Sequence, residues 1–336
     1  MKLFVLHPGS SSPDQQFPDF AGSPSKTAHE PLGFHGFAAC TGGAFVRSAS
    51  SIPASEKRVL LLLDSNLKRG RQAAIDLRRA GKIVVLAFAQ QEAARLSEQF
   101  RSPASLELLQ DICARAHAAI APSKDFEPVF RSFGILYVES ILPPIPLEEA
   151  AWDFSCQPED RTGIFLGSWD WKMPSRNHLL ALLGLREVAS QMYEPVTVFN
   201  LHGWRGRRWL RNLRYPSGLL RVVERRLPYP DYLRIVAQHK LVFHLDSSGG
   251  TGRIATDALL ARLPCVGGNG STERLLFPEL NGAGATTPEL LQTVSRLLDH
   301  GHDRDMAVES ALNIANQILS FSRVQQTLEE LFHYLG

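Results

Sequence analysis

A two-domain α/β chain, each domain a doubly wound parallel sheet, is predicted by three observations. Apolar runs of strand length alternate with helical patterns, at Val59 to Leu63, Ile83 to Phe88, Gly163 to Leu166, Val196 to Asn200 and Leu241 to Leu245. The length of 336 residues exceeds the size at which one core usually divides. Between the two series stands Pro143-Pro144-Ile145-Pro146, whose prolines lack N–H donors and restrict their predecessors, so it reads as the interdomain link.

Taken in order, Lys2 to Leu6 reads as the first strand. Pro8 to Pro53 is rich in Gly, Ser, Pro and Phe without periodicity, and is expected to be a long loop region. Arg71 to Arg79 has amphipathic helical spacing and stops at Gly81; further helices are expected from Glu92, over Leu179 to Gln191 and over Tyr229 to Gln238. Two long amphipathic helices close the chain, one striped by Leu290, Leu291, Val294, Leu297 and Leu298, the other by Ile314, Ile318, Phe321, Leu328 and Phe332. The expected domains are 1–145 and 146–310, with 311–336 a helix that packs back on the first. Hydrophobic content of 44% with 21% charged residues is that of an ordinary globular protein. There is no run of 18 apolar residues and the N-terminus stops being apolar after Leu6, so a cytoplasmic protein without a transmembrane segment is expected. Cys40, Cys113, Cys156 and Cys265 are scattered, which argues for reduced thiols and against a zinc site or disulfide framework.

The most informative stretch is Leu241 to Gly268, read as strand, glycine turn, helix and short strand. The helix from Arg253 leaves the amides of Thr251, Gly252 and Arg253 at its N-terminus, where they and the helix dipole favour a phosphate. A cation such as Arg253 is unfavourable there unless an anion is bound. Asp257, one turn further in, is placed to accept hydrogen bonds from ribose hydroxyls. Gly249, Gly250 and Gly252 alternatively serve only a tight turn. His244, mid-strand among apolar neighbours, is expected to be a core histidine with its hydrogen bonds satisfied.

This stretch resembles the C-terminal domain of retaining GT-B glycosyltransferases, of the family 4 type. There a Glu, a Gly-aromatic-Gly turn and a second Glu eight positions after the first precede a Leu-Pro-Val-Val-like strand. Asp257 falls on the second acidic position, Gly250-Thr251-Gly252 on the turn, and Leu263-Pro264-Cys265-Val266 on the strand. The first acidic position falls on Gly249, with Asp246 nearby as a substitute for holding the donor sugar. Ile164 to Asn177 resembles the strand and loop that opens the same domain, so Lys172 and Arg176 are implied to meet the donor diphosphate; Ser168 stands where many members have Arg. Ala116 to Pro146, with Ser123 after its strand, resembles the end of the family's N-terminal domain. Together these matches span roughly the last two thirds of the chain.

The resemblance implies two Rossmann-like domains facing a cleft, and a hexosyltransferase that moves a sugar from a UDP- or GDP-sugar with retention and with no cofactor. Lys172, Arg176, Arg253 and the turn amides are expected to stabilise the leaving diphosphate without a metal, since neither Ile164 to Asn177 nor Leu241 to Gly268 contains an Asp-x-Asp motif of the kind used by metal-dependent glycosyltransferases. In the N-terminal domain, His7 and Asp64 fall at the C-terminal ends of expected strands, where α/β sheets place ligand groups, and are candidates for catalysis or acceptor contact. His29 and His35 lie in the long loop, where a surface position serves as well. From Gly203 to Arg226 there are eight Arg against one acid, Glu224, with Trp204 and Trp209 interleaved. Arg207, Arg208 and Arg211 are therefore expected to hold a polyanionic acceptor, DNA or a lipid-linked glycan at an anionic membrane, the alternative being a solvated insertion. Three other functions share this fold: a viral-type DNA base glycosyltransferase, a sugar-nucleotide epimerase, and a protein that binds nucleotide or nucleic acid without turnover.

Overall fold

The computed structural model describes residues 1–90, 92–167 and 171–336, so the donor role expected of Ser168 lies outside the described residues. The chain forms two compact units, one of Met1–Ala150 with Asn316–Gly336, the other of Ala151–Ala315.

The first unit holds strands β1 (Phe4–Leu6), β2 (Gln15–Gln16), β3 (Ala44–Val46), β4 (Arg58–Leu63), β5 (Ile83–Phe88), β6 (Ala118–Ala121) and β7 (Val138–Ser140). Its helices are α1 (Phe34–Ala39), α2 (Leu67–Arg79), α3 (Ala93–Gln99), α4 (Pro103–Cys113) and α5 (Glu127–Ser132). The strand order is β2-β3-β1-β4-β5-β6-β7, and only the β2–β3 pairing is antiparallel. Val59 to Leu63 and Val84 to Phe88 are buried along their whole length, as strands covered on both faces must be. Helix α2 begins a turn before the expected Arg71, because the Asn66 side chain caps it by accepting from the Arg69 amide at 3.3 Å. It buries Leu67, Ala73, Ala74 and Leu77 and turns its arginines outward; burial of each such leucine contributes about 1.5–3 kcal/mol.

The segment from Pro8 to Pro53 is not the loop that its composition predicts: it contains α1, β2 and β3, and β3 lies in the sheet directly beside β1. Its glycines serve close approach. A Cβ on Gly43 would sit 1.9 Å from the Leu3 carbonyl oxygen, so only glycine lets β3 enter alongside the first strand.

The second unit holds β8 (Ile164–Leu166), β9 (Val196–Phe199), β10 (Leu220–Val223), β11 (Leu241–His244) and β12 (Cys265–Gly267), all parallel in the order β10-β9-β8-β11-β12. Its helices are α6 (His178–Met192), α7 (Gly203–Asn212), α8 (Tyr229–Ala237), α9 (Arg253–Leu260), α10 (Ser271–Leu276), α11 (Thr287–Asp299) and α12 (Gly301–Ile318), whose last three residues group with the first unit. The arginine-rich segment is thus no insertion: it forms α7 and the edge strand β10. After α12, the chain breaks at Ser320, whose side chain caps α13 (Phe321–Tyr334) by accepting from the Arg323 amide. The last stripe read from the sequence is therefore divided between two helices, and Ile318 is exposed. Among the described residues no helix is long and apolar enough to cross a membrane, and the four cysteines are unpaired.

Candidate functional site

Each sheet has one place where the strand order reverses. In the second unit the chain leaves β8 toward β9 and later leaves β11 toward β12 on the opposite side, which opens a crevice at the C-terminal ends of β8 and β11. The segments following those two strands carry Lys172, Arg176, Asp246 and the glycine turn.

The turn is built by local hydrogen bonds. Asp246 Oδ1 accepts from the Ser248 amide at 2.9 Å, and Asn269 Oδ1 accepts from the Gly249 amide at 2.8 Å. Gly249 and Gly252 have φ of 65° and 81°, and Gly252 is the residue from which α9 starts. The Gly250 amide makes a long 3.4 Å bond to Ser248 Oγ, and among the described residues nothing accepts from the amides of Thr251 and Gly252. Two donors therefore stand at the N-terminus of α9, where the helix dipole favours an anion.

Around these donors the expected residues hold specific partners. Arg176 forms an ion pair with Asp246, and the two segments are stitched by Ser247 N to Ser175 O at 2.8 Å and Asn177 Nδ2 to Leu245 O at 2.9 Å. Lys172 is exposed. Asp257 is buried and accepts from Tyr229 Oη at 2.5 Å and Tyr232 Oη at 3.0 Å. Burial first, and then the neighbouring Asp257 charge, push both tyrosines well above their ordinary pKa, so they remain donors. Arg253 lies with its guanidinium 5.0 Å from the Tyr229 ring centre and its Nε 3.9 Å from Asp257 Oδ1.

A second glycine run, Gly267-Gly268-Asn269-Gly270, braces the first. Ser271 N donates to Gly250 O at 2.9 Å and Thr272 N to Thr251 O at 3.0 Å. Beneath both turns lie His244 and Glu273, each 1% exposed, with Nε2 and Oε1 3.4 Å apart. The expectation of a satisfied core histidine is corrected here. His244 is in the core, but neither ring nitrogen has a hydrogen-bond partner, nor does Glu273 Oε2. That oxygen would be 1.8 Å from a Cβ on Gly252. Sequence reasoning missed Glu273, Asn269, Tyr229 and Tyr232. The available signals were the glycines continuing past the Leu-Pro-Cys-Val strand and two tyrosines spaced i, i+3 on one helix.

In the first unit the order reverses at β1 and β4, and these strands are followed directly by His7 and Asp64. The structure brings the two together, His7 Nε2 lying 3.5 Å from Asp64 Oδ2. Burial lowers the His7 pKa while the Asp64 charge opposes the shift, so the ring is neutral near pH 7. His29 and His35 are not loose surface residues. Their rings stack 5.0 Å apart, and His35 stacks on Phe45 at 4.0 Å. Arg207, Arg208 and Arg211 are exposed on α7, and Arg207 faces Glu224 across 3.4 Å.

No family model matches the sequence, and no curated protein matches it either. Solved structures do match the fold. The trehalose-6-phosphate synthase OtsA superposes with a TM-score of 0.61 at 14% identity, over 85% of this chain and 74% of that one. For a UDP-forming trehalose-phosphate synthase of Burkholderia xenovorans the values are 0.62, 11%, 85% and 75%. For the pneumococcal O-GlcNAc transferase GtfA, in complex with UDP and GlcNAc, they are 0.59, 10%, 83% and 57%. Two doubly wound units with these relatives in structure give the chain the GT-B fold of glycosyltransferases.

Proposed function

We propose that the protein is a glycosyltransferase, a hexosyltransferase of the cytoplasm, that takes its sugar from a nucleoside-diphosphate sugar with retention and without a metal. The observation that carries this reading is the pair of amides without acceptors, Thr251 and Gly252, at the start of α9, with Arg253 beside them and Lys172 and Arg176 on the segment after β8. The fold supports it, because structures that share it hold UDP with GlcNAc, or UDP-2-fluoro glucose, and one was used to study glycosyl transfer with retention. The unpaired cysteines fit a reducing compartment.

In the reaction, the bond between the anomeric carbon and the diphosphate oxygen breaks, and its electron pair leaves with the nucleoside diphosphate. An acceptor hydroxyl oxygen bonds to that carbon on the same face, and its proton passes to the departing diphosphate oxygen. The negative charge that grows on the diphosphate would be met by the Thr251 and Gly252 amides, Lys172 and Arg253. Arg176 works under the influence of Asp246, which already offsets its charge and orders the turn that carries Gly249 and Gly250. Asp257 would take the ribose with the oxygen capacity its tyrosines leave. His7, neutral and beside Asp64, is the first unit's candidate for holding an acceptor.

Calorimetry with UDP and GDP, followed by hydrolysis of UDP- and GDP-sugars, tests the reading. Lys172→Ala is expected to lower turnover more than it raises the donor Michaelis constant, because the charge it meets grows toward the transition state. A change confined to the Michaelis constant would reduce Lys172 to ground-state binding. Failure of every nucleoside diphosphate to bind would remove the proposed function altogether.

A further inference from the structure

Helix α7 turns Gly206 and Leu210 inward, followed by Leu213, and sets everything else toward solvent. Trp204 is 63% exposed, between Arg205, Arg207, Arg208 and Arg211 on the outward side, and Trp209 is 48% exposed. The strand that follows, β10, is the free edge of its sheet and adds exposed Arg221 and Val222, with Arg225 just beyond. Among the described residues of the helix, only Arg207 faces a carboxylate.

Arg211 in the last turn suits the helix dipole and Arg207 pairs with Glu224, but the remaining arginines work against the helix. Arg205 stands in the first helical turn, where a cation opposes the dipole. The pairs Arg205 and Arg208, Arg208 and Arg211, and Arg207 and Arg211 are like charges three or four positions apart, which destabilise a helix. An anionic surface laid against α7 would offset these unfavourable interactions by attracting each exposed arginine.

We infer that the outer face of α7 and the adjoining β10 edge form a docking surface for an anionic lipid membrane. This does not rest on the glycosyltransferase reading. Clusters of about four to eight basic residues on an amphipathic helix match anionic headgroups, and exposed Trp rings settle at the headgroup level. Nucleic acid fits less well, for two reasons. The charge is local: the net charge is +2, and outside residues 203–226 acids outnumber Lys and Arg, so a long polyanion would be repelled elsewhere on the chain. The indole faces that would stack on bases are also in use, Trp209 against Trp171 at 5.5 Å and 14°, and Trp204 under the Arg205 guanidinium at 5.6 Å.

The test is co-sedimentation of the full chain with vesicles of phosphatidylcholine alone and of phosphatidylcholine mixed with phosphatidylglycerol, over a range of salt. Binding to the mixed vesicles only, fading as salt rises, is expected. The triple variant Arg207→Gln, Arg208→Gln, Arg211→Gln should lose on the order of a hundredfold in partition, about fivefold per arginine. The matching triple lysine variant should keep most of it, which separates loss of charge from loss of folding. Equal binding to neutral vesicles, no vesicle binding at all, or an unchanged triple glutamine variant would overturn the inference. So would retention of duplex or single-stranded DNA at salt where mixed vesicles are ignored.

Discussion

Asp257 is held by two tyrosine hydroxyls from one helix, so its carboxylate is buried and oriented before any ligand arrives. Asp257→Asn is expected to weaken nucleoside diphosphate binding by about 1–3 kcal/mol, the range for a hydrogen bond to a charged group. Calorimetry checks this beside Tyr232→Phe, which removes one supporting hydroxyl and no ribose contact and so should cost stability with little loss of affinity. Unchanged affinity in a folded Asp257→Asn protein would end its ribose assignment. The position of Asp257 was legible because it lies one turn into a helix behind a glycine turn, a purely local pattern. Its tyrosines were not, because they are 25 and 28 residues away in sequence and meet it only through packing. The same holds for His244: its place in a buried strand is written locally, whereas its facing Glu273 and its unsatisfied nitrogens depend on how two loops meet.

At the level of elements, the apolar strand runs were readable even where they are three residues long, as in β1, β8 and β12, and the short elements of the glycine-rich segment from Pro8 to Pro53 were not. Strand β3 has three residues and α1 six, too few for either periodicity to emerge from a segment crowded with glycine. The arginines of α7 read as a strip for a polyanionic acceptor, or else as a solvated insertion, with no helix assigned to them, yet Gly206 and Leu210, four apart, already mark a buried stripe; strand β10 has exposed arginine at its centre because it is an edge. The glycine turn shows how an element forms a candidate site. Gly252 has φ of 81°, and a methyl group there would fall 1.8 Å from Glu273 Oε2. Gly252→Ala therefore combines left-handed strain with displacement of a buried carboxylate. It should destabilise the protein by about 1–3 kcal/mol, the range for a strained backbone position. Thermal unfolding measures that cost, and the loss of nucleotide affinity should exceed that of Asp257→Asn, since the turn carries the phosphate donors. Retained stability and affinity together would show that the turn tolerates rearrangement and that its geometry is not what binds.

For the whole molecule, two parallel sheets that each reverse strand order once are enough to bring residues distant in sequence to one end of a sheet. His7 meets Asp64 that way, and Arg176 meets Asp246. The same deep cores bury titratable groups, with a consequence for acid stability. Burial first, and then the neighbouring His202, depress His178 to about 3, its ring packed 4.7 Å from Trp171. His239, also depressed chiefly by burial, falls to about 4. Its Nδ1 faces the Val236 carbonyl at 3.1 Å and must be the protonated nitrogen, so Nε2 accepts from Thr197 Oγ1 at 2.6 Å and the neutral ring is the one the fold holds. Below the ordinary histidine value near 6.5 the unfolded chain takes up protons that the folded chain refuses. The contribution of both rings is therefore complete above that pH and is lost as pH falls toward 3 to 4. Near pH 5 each would cost about 2 kcal/mol, at about 1.4 kcal/mol per pH unit. Both lie in the unit formed by Ala151–Ala315, so that unit is expected to unfold first on acidification. Thermal melts across pH 5 to 7 check the slope, and His178→Phe, which keeps the ring against Trp171 but cannot bind a proton, should flatten it. A slope unchanged by that substitution would mean that the acid sensitivity comes from other groups.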